Sequence, residues 1–367
     1  MDYLERINAE KGSVYYRLHG PYPDEIETYL FSSPTSRRIM NNPDIYGCEY
    51  TNLMEETMTG ALKLFPGKEA IGKLDPGTIS VIHFLRSGLN FGIRNGLWRA
   101  FGFNTHFSSF LTSQRQRDQY GRWYIKDDQY RKLEMPKDAS FFIGEIVATG
   151  VTVSNGFDII FHQAKNLGRP VRNTFFFTIG CHKIEKTLRK YDRLFRSIFP
   201  KYRKTYLIYL EGKFHLADSK TTTAIKVQGT DLMRHPALLA PEFELEQLRD
   251  PAYLLERCVI YDGGARAFNV FRYLEDVRSY WDELLKRADD GWTLKEAVRD
   301  RWPGKEYELT REEFMAVKEK DWKNIDPGIL EEIYRTGREL AEDLDGTGGN
   351  AEALAAVCRR QLEKLLI

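Results

Sequence analysis

Ser140-Phe-Phe-Ile-Gly-Glu-Ile-Val-Ala-Thr-Gly-Val-Thr-Val-Ser-Asn-Gly156 is the stretch whose reading decides the fold. Ser140 to Val147 is an apolar, strand-prone run, and from Ser154 to Asn166 apolar residues recur at helical spacing. A strand that enters a helix through so short a turn aims several backbone N–H groups at one point, where an anion can bind. Gly150 permits the tight turn and a close approach of phosphate oxygens, which a Cβ would obstruct. Thr149 and Thr152 add hydroxyl donors. Glu145 ends the strand, where open α/β sheets bind their ligands, and its carboxylate can accept from sugar hydroxyls or hold a hydrated Mg2+. The tripeptide Ala148-Thr149-Gly150 by itself is equally a β-to-α turn with a capping threonine.

The same alternation surrounds this stretch. Apolar runs at Thr78 to Leu85, Thr105 to Thr112, Ser140 to Val147, Val171 to Ile179 and Thr205 to Leu210 predict strands. Helical patterns follow the first, third and fourth, at Leu89 to Phe101, Ser154 to Asn166 and His182 to Phe199. Such an order predicts an α/β fold: a mainly parallel sheet with helices on both faces. Met54, Met58, Ala61, Leu62 and Phe65 mark an amphipathic helix ahead of the first run. Arg115 to Lys132 is charged and interrupts the pattern; Gly121, between aromatic and β-forming residues, reads as the tip of a flap hairpin.

Three regions follow: an irregular N-terminal extension over 1–50, an α/β core over 51–226, and a helix-rich region over 227–367 in which the strands stop. Helices are expected at Phe243 to Arg249, Phe268 to Arg287, Thr293 to Arg301, Thr310 to Asp321, Pro327 to Asp343 and Ala351 to Leu366. Leu354, Val357, Leu362 and Leu366 form a stripe on the last of these, fit either to pair with a second copy as a homodimer or to pack internally. The turn Tyr261 to Phe268 reads as a helix entry with Asp262 or a glycine near its cap.

Lys and Arg total 54 against 53 Asp and Glu, so no global field argues for nucleic acid or an anionic membrane, and any anion site is local. Cys48, Cys181, Cys258 and Cys358 are too scattered for a Cys-x-x-Cys metal or redox site. No basic segment followed by an apolar run opens the chain, and no long uncharged apolar stretch interrupts it; a cytoplasmic protein is the expectation. His83, His162 and His182 lack acidic or thiol partners at ligand spacing and read as structural.

The strand, acid and turn of 140–156 resemble the 5-phosphoribosyl-1-diphosphate (PRPP) loop of type I phosphoribosyltransferases: an apolar strand, two acidic residues, two apolar residues, then Ala-Thr-Gly-Gly-Thr or close to it. Thr78-Ile-Ser-Val-Ile-His-Phe-Leu-Arg-Ser-Gly-Leu-Asn-Phe-Gly-Ile-Arg-Asn-Gly96 resembles the Leu-Arg-Ala-Gly-Leu-Gly segment of uracil phosphoribosyltransferases, whose turn binds pyrophosphate. Uracil-type enzymes also open a flexible hairpin with an Arg followed by acidic residues, which Arg117-Asp118 matches. The resemblance spans about residues 50–215.

It implies that Ala148, Thr149, Gly150, Val151 and Thr152 hold the 5-phosphate, and that Arg86, Ser87, Gly88 and Arg117 hold the diphosphate. Glu145 would meet the ribose hydroxyls and, weakly, a Mg2+ ion carried mostly by the diphosphate; Glu145, Arg86 and Arg117 would be the catalytic residues. Two positions depart from the pattern. Gly144 stands where the first acid belongs, and Val151 replaces the second loop glycine. The base-reading segment of the uracil enzymes is rewritten as Tyr206 to Lys220, so the resemblance implies a nitrogenous or aromatic acceptor other than uracil. By position Tyr209, Glu211, Phe214 and Asp218 would line its pocket, or else form core packing and a surface turn. The alternative function is a non-catalytic PRPP- or nucleotide-binding regulator with the same fold.

Overall fold

The computed structural model describes residues 2–21, 25–112, 114–120, 123–127, 130–225, 231–256, 263–304 and 306–365. Its strands are β1 (Tyr3–Glu10), β2 (Ser13–His19), β3 (Glu27–Ser32), β4 (Ile79–Leu85), β5 (Phe107–Thr112), β6 (Gln114–Arg117), β7 (Trp123–Asp127), β8 (Arg131–Lys132), β9 (Ala139–Val147), β10 (Val171–Cys181), β11 (Lys204–Leu216), β12 (Leu232–Leu239) and β13 (Trp322–Lys323). One sheet runs in the order β13-β1-β2-β3-β11-β10-β9-β4-β5-β8, with β12 paired to β11; β6 and β7 form a separate ribbon.

Every neighbour from β3 through β11, β10, β9 and β4 to β5 is parallel. Strands inside a parallel sheet are covered on both faces, which is why they read as continuous apolar runs rather than as alternation. Phe175 and Phe176 of β10 show both coverings. The Phe175 ring meets Phe65, at the end of helix Gly47–Leu64, at 5.9 Å. The Phe176 ring, on the opposite face, meets Phe157 of helix Val151–Asn166 at 6.1 Å. Helices therefore flank the sheet on both faces, and the architecture is mixed α/β as expected.

The chain lays down β4 first among β4, β5, β9, β10 and β11. It moves outward to β5 through helix Ile93–Phe101, then crosses back to β9 and continues to β10 and β11 through helices Val151–Asn166 and Lys183–Ile198. The boundary between β4 and β9 is thus the point where the winding reverses, and ligands of such sheets bind outside the carboxyl ends of the strands there.

Residues 1–50 are not an irregular extension: β1, β2 and β3 extend the sheet past β11. Their period is masked because both faces are covered, with Val14, Tyr15 and Tyr16 buried in succession. Tyr15 shows the cause, packing on Phe31 and Phe65 while its hydroxyl donates to the Ala61 carbonyl at 3.0 Å. Strands also continue beyond 227, since β12 pairs with β11 and β13 pairs with β1. Pro236, within β12, is exposed and follows a cis bond from His235.

The expected helices of the last third are present, including Val270–Asp289 and Ala351–Glu363. These two pack on each other with Leu354 and Val357 buried, so that part of the apolar stripe is used inside the chain; Leu366 lies outside the described residues. The expected flap is the ribbon of β6 and β7, with Arg117 opposite Trp123, and it leans on helix Val151–Asn166. The Gly121 tip lies outside the described residues, as do Tyr261 and Asp262 of the helix-entry turn.

Candidate functional site

His83 of β4 pairs with Gly144 of β9, so the turns that follow the two strands emerge side by side. After β4 the Leu85–Arg86 peptide is cis, and Ser87–Phe91 forms a 3-10 turn that ends at Gly92 with φ +60°. This turn crosses β9 closely. A Cβ on Gly88 would come to 3.0 Å from the Gly144 carbonyl oxygen, so only glycine fits without a shift. The Phe91 ring occupies the space into which a side chain at Gly144 would project. His83 supports the turn from below, with Nδ1 3.4 Å from the Gly88 carbonyl oxygen and its ring stacked on Phe110. Burial pushes its imidazole down to about 4, so the ring is neutral at neutral pH.

Glu145 is 5% exposed. Its Oε1 accepts from the Ser87 hydroxyl, and from its neighbour's amide, Ile146 N, at 2.9 Å. One carboxylate thereby ties the two turns together across the switch point. Thr178 Oγ1 donates to the Glu145 carbonyl oxygen at 2.8 Å, and Cys181 Sγ to that of Ala148 at 3.1 Å, which pins the end of β9 to β10.

Gly150 takes φ +77° and caps helix Val151–Asn166. A residue with a Cβ disfavours that left-handed conformation. Ser154 N donates to Gly150 O at 2.9 Å, leaving the amides of Val151, Thr152 and Val153 as the first-turn donors without an acceptor one turn back. Ala148 through Thr152 are all partly accessible. The helix start therefore offers amides and a positive dipole end to an anion at the surface.

Arg86 begins the neighbouring turn, exposed and without an ion pair among the described residues. Arg117 stands on the ribbon that leans on the same helix. The structure thus gathers Arg86, Ser87, Gly88, Glu145 and Ala148 through Thr152 at the paired turns.

The four residues expected at an acceptor pocket separate. Tyr209 is fully buried behind the β10 end, donating to Cys181 O at 3.4 Å and Glu185 Oε1 at 3.2 Å. Asp218 caps an exposed turn, accepting from Lys220 N at 2.9 Å and Thr221 N at 3.1 Å, and these bonds hold its carboxyl below the usual range. Phe214 alone of the four lines a cleft, formed with His182, His215 and His235.

Glu211 is fully buried and anchors helix Pro34–Asn41: its Oε1 accepts from Ser33 N at 2.8 Å and from the Ser36 hydroxyl. Burial, only partly offset by Arg37 and these hydrogen bonds, pushes its carboxyl up to about 7 from an ordinary 4.5. The folded chain then keeps a proton that the unfolded chain releases, so stability present below pH 4.5 is lost as pH rises through about 7. The loss is on the order of 3 kcal/mol. Glu211→Gln is expected to flatten the fall in melting temperature between pH 5 and 8, and an unchanged slope would assign that fall to other groups.

Sequence reasoning missed Phe91 and Asn90. Asn90 is buried and donates from Nδ2 to the Gly263 carbonyl oxygen at 2.5 Å, fixing the turn to helix Gly263–Phe268. Gly144 itself was the available signal for Phe91, because a glycine inside a buried strand marks a close approach.

Among the described residues no three of His, Cys, Asp and Glu gather so as to hold a metal ion. No helix among them is long and apolar enough to cross a membrane. What fold and site define is a mixed α/β protein whose mostly parallel sheet presents two strand-to-helix turns at one switch point. No family model matches the chain, and no curated protein matches it.

Proposed function

We propose that the paired turns bind PRPP in a type I phosphoribosyltransferase-like fold, and that the chain transfers the 5-phosphoribosyl group to a nitrogenous or aromatic acceptor other than uracil. The observation that carries this reading is the Ser87–Glu145 hydrogen bond, which joins an arginine-bearing turn to a helix-start anion cradle at the switch point.

In the reaction the acceptor's lone pair forms a bond to ribose C1, the bond from C1 to the diphosphate oxygen breaks, and pyrophosphate leaves with that electron pair. The acceptor's proton passes to solvent or to the leaving group. Residues 148–152 hold the 5-phosphate through backbone amides, and Arg86, joined by Arg117 from the flap, meets charge that grows on the leaving diphosphate. Glu145 is the single carboxylate of the two turns, and it already accepts from Ser87 and from Ile146 N. The side chains of the turns therefore do not form a metal site of their own, and no step is assigned to a metal. A Mg2+ ion would arrive on the diphosphate.

A regulator that binds PRPP without turnover is the second reading. It is favoured by Phe91, which takes the room a second carboxylate would need at position 144. Turnover separates the two.

Calorimetry of PRPP with and without Mg2+ tests the shared core of both readings. Binding in the micromolar range is expected, and Thr149→Ala is expected to weaken it by about tenfold, the worth of one charge-assisted hydrogen bond. Unchanged affinity in the variant would remove the 148–152 turn as the phosphate site.

A further inference from the structure

The carboxyl ends of β10 and β11, roofed by β12, enclose a cleft of about 420 Å³ that the phosphate turns leave unused. His182, His215 and His235, three of the chain's seven histidines, line it. The His235 ring stacks on Trp302 with centroids 4.9 Å apart, and Phe214 and Trp322 add further ring surface.

The lysines in the wall are already ion-paired, whereas Asp321 lines it without an ion pair among the described residues, and burial pushes its carboxyl up. Lys213 Nζ lies 2.6 Å from Asp2 and 2.5 Å from Glu185. Lys318 pairs with Glu244 and stands 3.8 Å from Glu306. Arg234 donates to Asn41 Oδ1 at 3.1 Å, Gln247 Oε1 at 2.7 Å and Tyr253 O at 2.6 Å.

The imidazoles are different: among the described residues none of the three rings makes a hydrogen bond. Burial lowers the affinity of His182 and His235 for a proton, so each presents one N–H donor and one nitrogen acceptor. A charged ligand would compete with the ion pairs of Lys213 and Lys318, and an apolar one would leave the imidazoles dry. A planar ring with its own donors and acceptors satisfies both the stacked wall and the histidines, and the volume is that of a small-molecule site.

Position links this cleft to the phosphate turn. A Cβ on Gly150 would lie 3.7 Å from Lys183 Cβ, and Cys181 Sγ donates to the Ala148 carbonyl oxygen. Residues 181–183 thus touch the turn while His182 faces the cleft.

We infer that the cleft beneath β12 binds an uncharged nitrogen heterocycle through His182, His215 and His235, and that it is the acceptor site of the transfer proposed above. The acceptor role rests on that reading; the heterocycle site does not.

The test is proton–carbon NMR of all seven histidine rings in the full chain, titrated with adenine, hypoxanthine, cytosine and nicotinamide. At least one probe is expected to move the resonances of His182, His215 and His235 while leaving those of His19, His83, His106 and His162 in place. His182→Ala and His215→Ala, both at accessible positions, are each expected to weaken that probe on the order of tenfold. Thr149→Ala is expected to bind it as the unaltered chain does. Four probes that move none of the three rings, or two variants that bind undiminished, would overturn the cleft as a heterocycle site. A probe that binds to a chain unable to bind PRPP would support the site and overturn its acceptor role. PRPP binding with no response to any probe would overturn the cleft inference and leave the PRPP reading standing.

Discussion

A Gly144→Asp variant is expected to lose about 3 kcal/mol or more of unfolding free energy, although it writes the missing acid of a PRPP loop back into the sequence. A Cβ at this position would lie 2.5 Å from Phe91 Cβ and 2.7 Å from Phe91 Cδ1, well inside contact distance. Phe91 is fully buried and cannot swing to solvent, because the turn that carries it is held by Asn90 to Gly263 and by Gly88 against β9. Overpacking of this kind costs about 1–3 kcal/mol, and a carboxylate buried beside the ring without a partner adds a comparable penalty. Urea unfolding measures the total. Gly144→Ala carries the steric part alone, so the difference between the two variants isolates the charge. Combining Gly144→Ala with Phe91→Ala should cost less than the two changes added, since the second opens the room the first requires. A Gly144→Asp chain as stable as the unaltered one would remove Phe91 as the reason for the glycine.

The same pair shows how much of the site could be read from the residues in order. β4, β9 and their turns were legible because a strand covered on both faces is a continuous apolar run, and because glycines and small residues punctuate its exit. Helices expected at Thr293 to Arg301 and Thr310 to Asp321 do start there, each on a capping box, Thr293 with Glu296 and Thr310 with Glu313. Phe91 against Gly144 is a contact between two separate turns, which no local pattern encodes. β1 to β3 were hidden for a related reason: adjacent buried tyrosines erase the period of two.

Of the four residues given by position to an acceptor pocket, Phe214 lines the cleft, while Tyr209, Glu211 and Asp218 take the alternative of core packing and a surface turn, and register is the reason. β10 and β11 pair Thr178 with Tyr209 but Gly180 with Lys213, and the added residues include Glu211 at φ +62°. Such a bulge resets which side chains face which way, so positions counted along Tyr206 to Lys220 lose their meaning past Tyr209. The histidines of the cleft come from the end of β10, from β11 and from β12. They meet only because β12 folds back onto β11.

Lys318→Met is expected to destabilise the chain by about 3–5 kcal/mol, the usual cost of removing one partner from a buried ion pair. Lys318 is 5% exposed, and its ammonium stands 4.9 Å from the Trp322 ring centroid, 5.7 Å from Phe314 and 5.9 Å from Tyr307. Methionine retains the stem that packs against these rings and deletes only the charge, so lost packing contributes little. What remains is Glu244, itself 5% exposed, with the Tyr307 hydroxyl at 2.7 Å as its surviving donor. The stranded carboxylate dominates the cost. Glu244 belongs to helix Pro241–Leu248 directly after β12, and Lys318 to helix Arg311–Asp321 just before β13, so the pair clamps the last third of the chain onto the sheet. Replacing both partners, Lys318→Met with Glu244→Gln, should recover much of the loss, because no unpaired charge is then buried. Denaturant unfolding of the single and double variants decides it. If the single variant stays within about 1 kcal/mol of the unaltered chain, water or another cation reaches Glu244, and the clamp is not the ion pair.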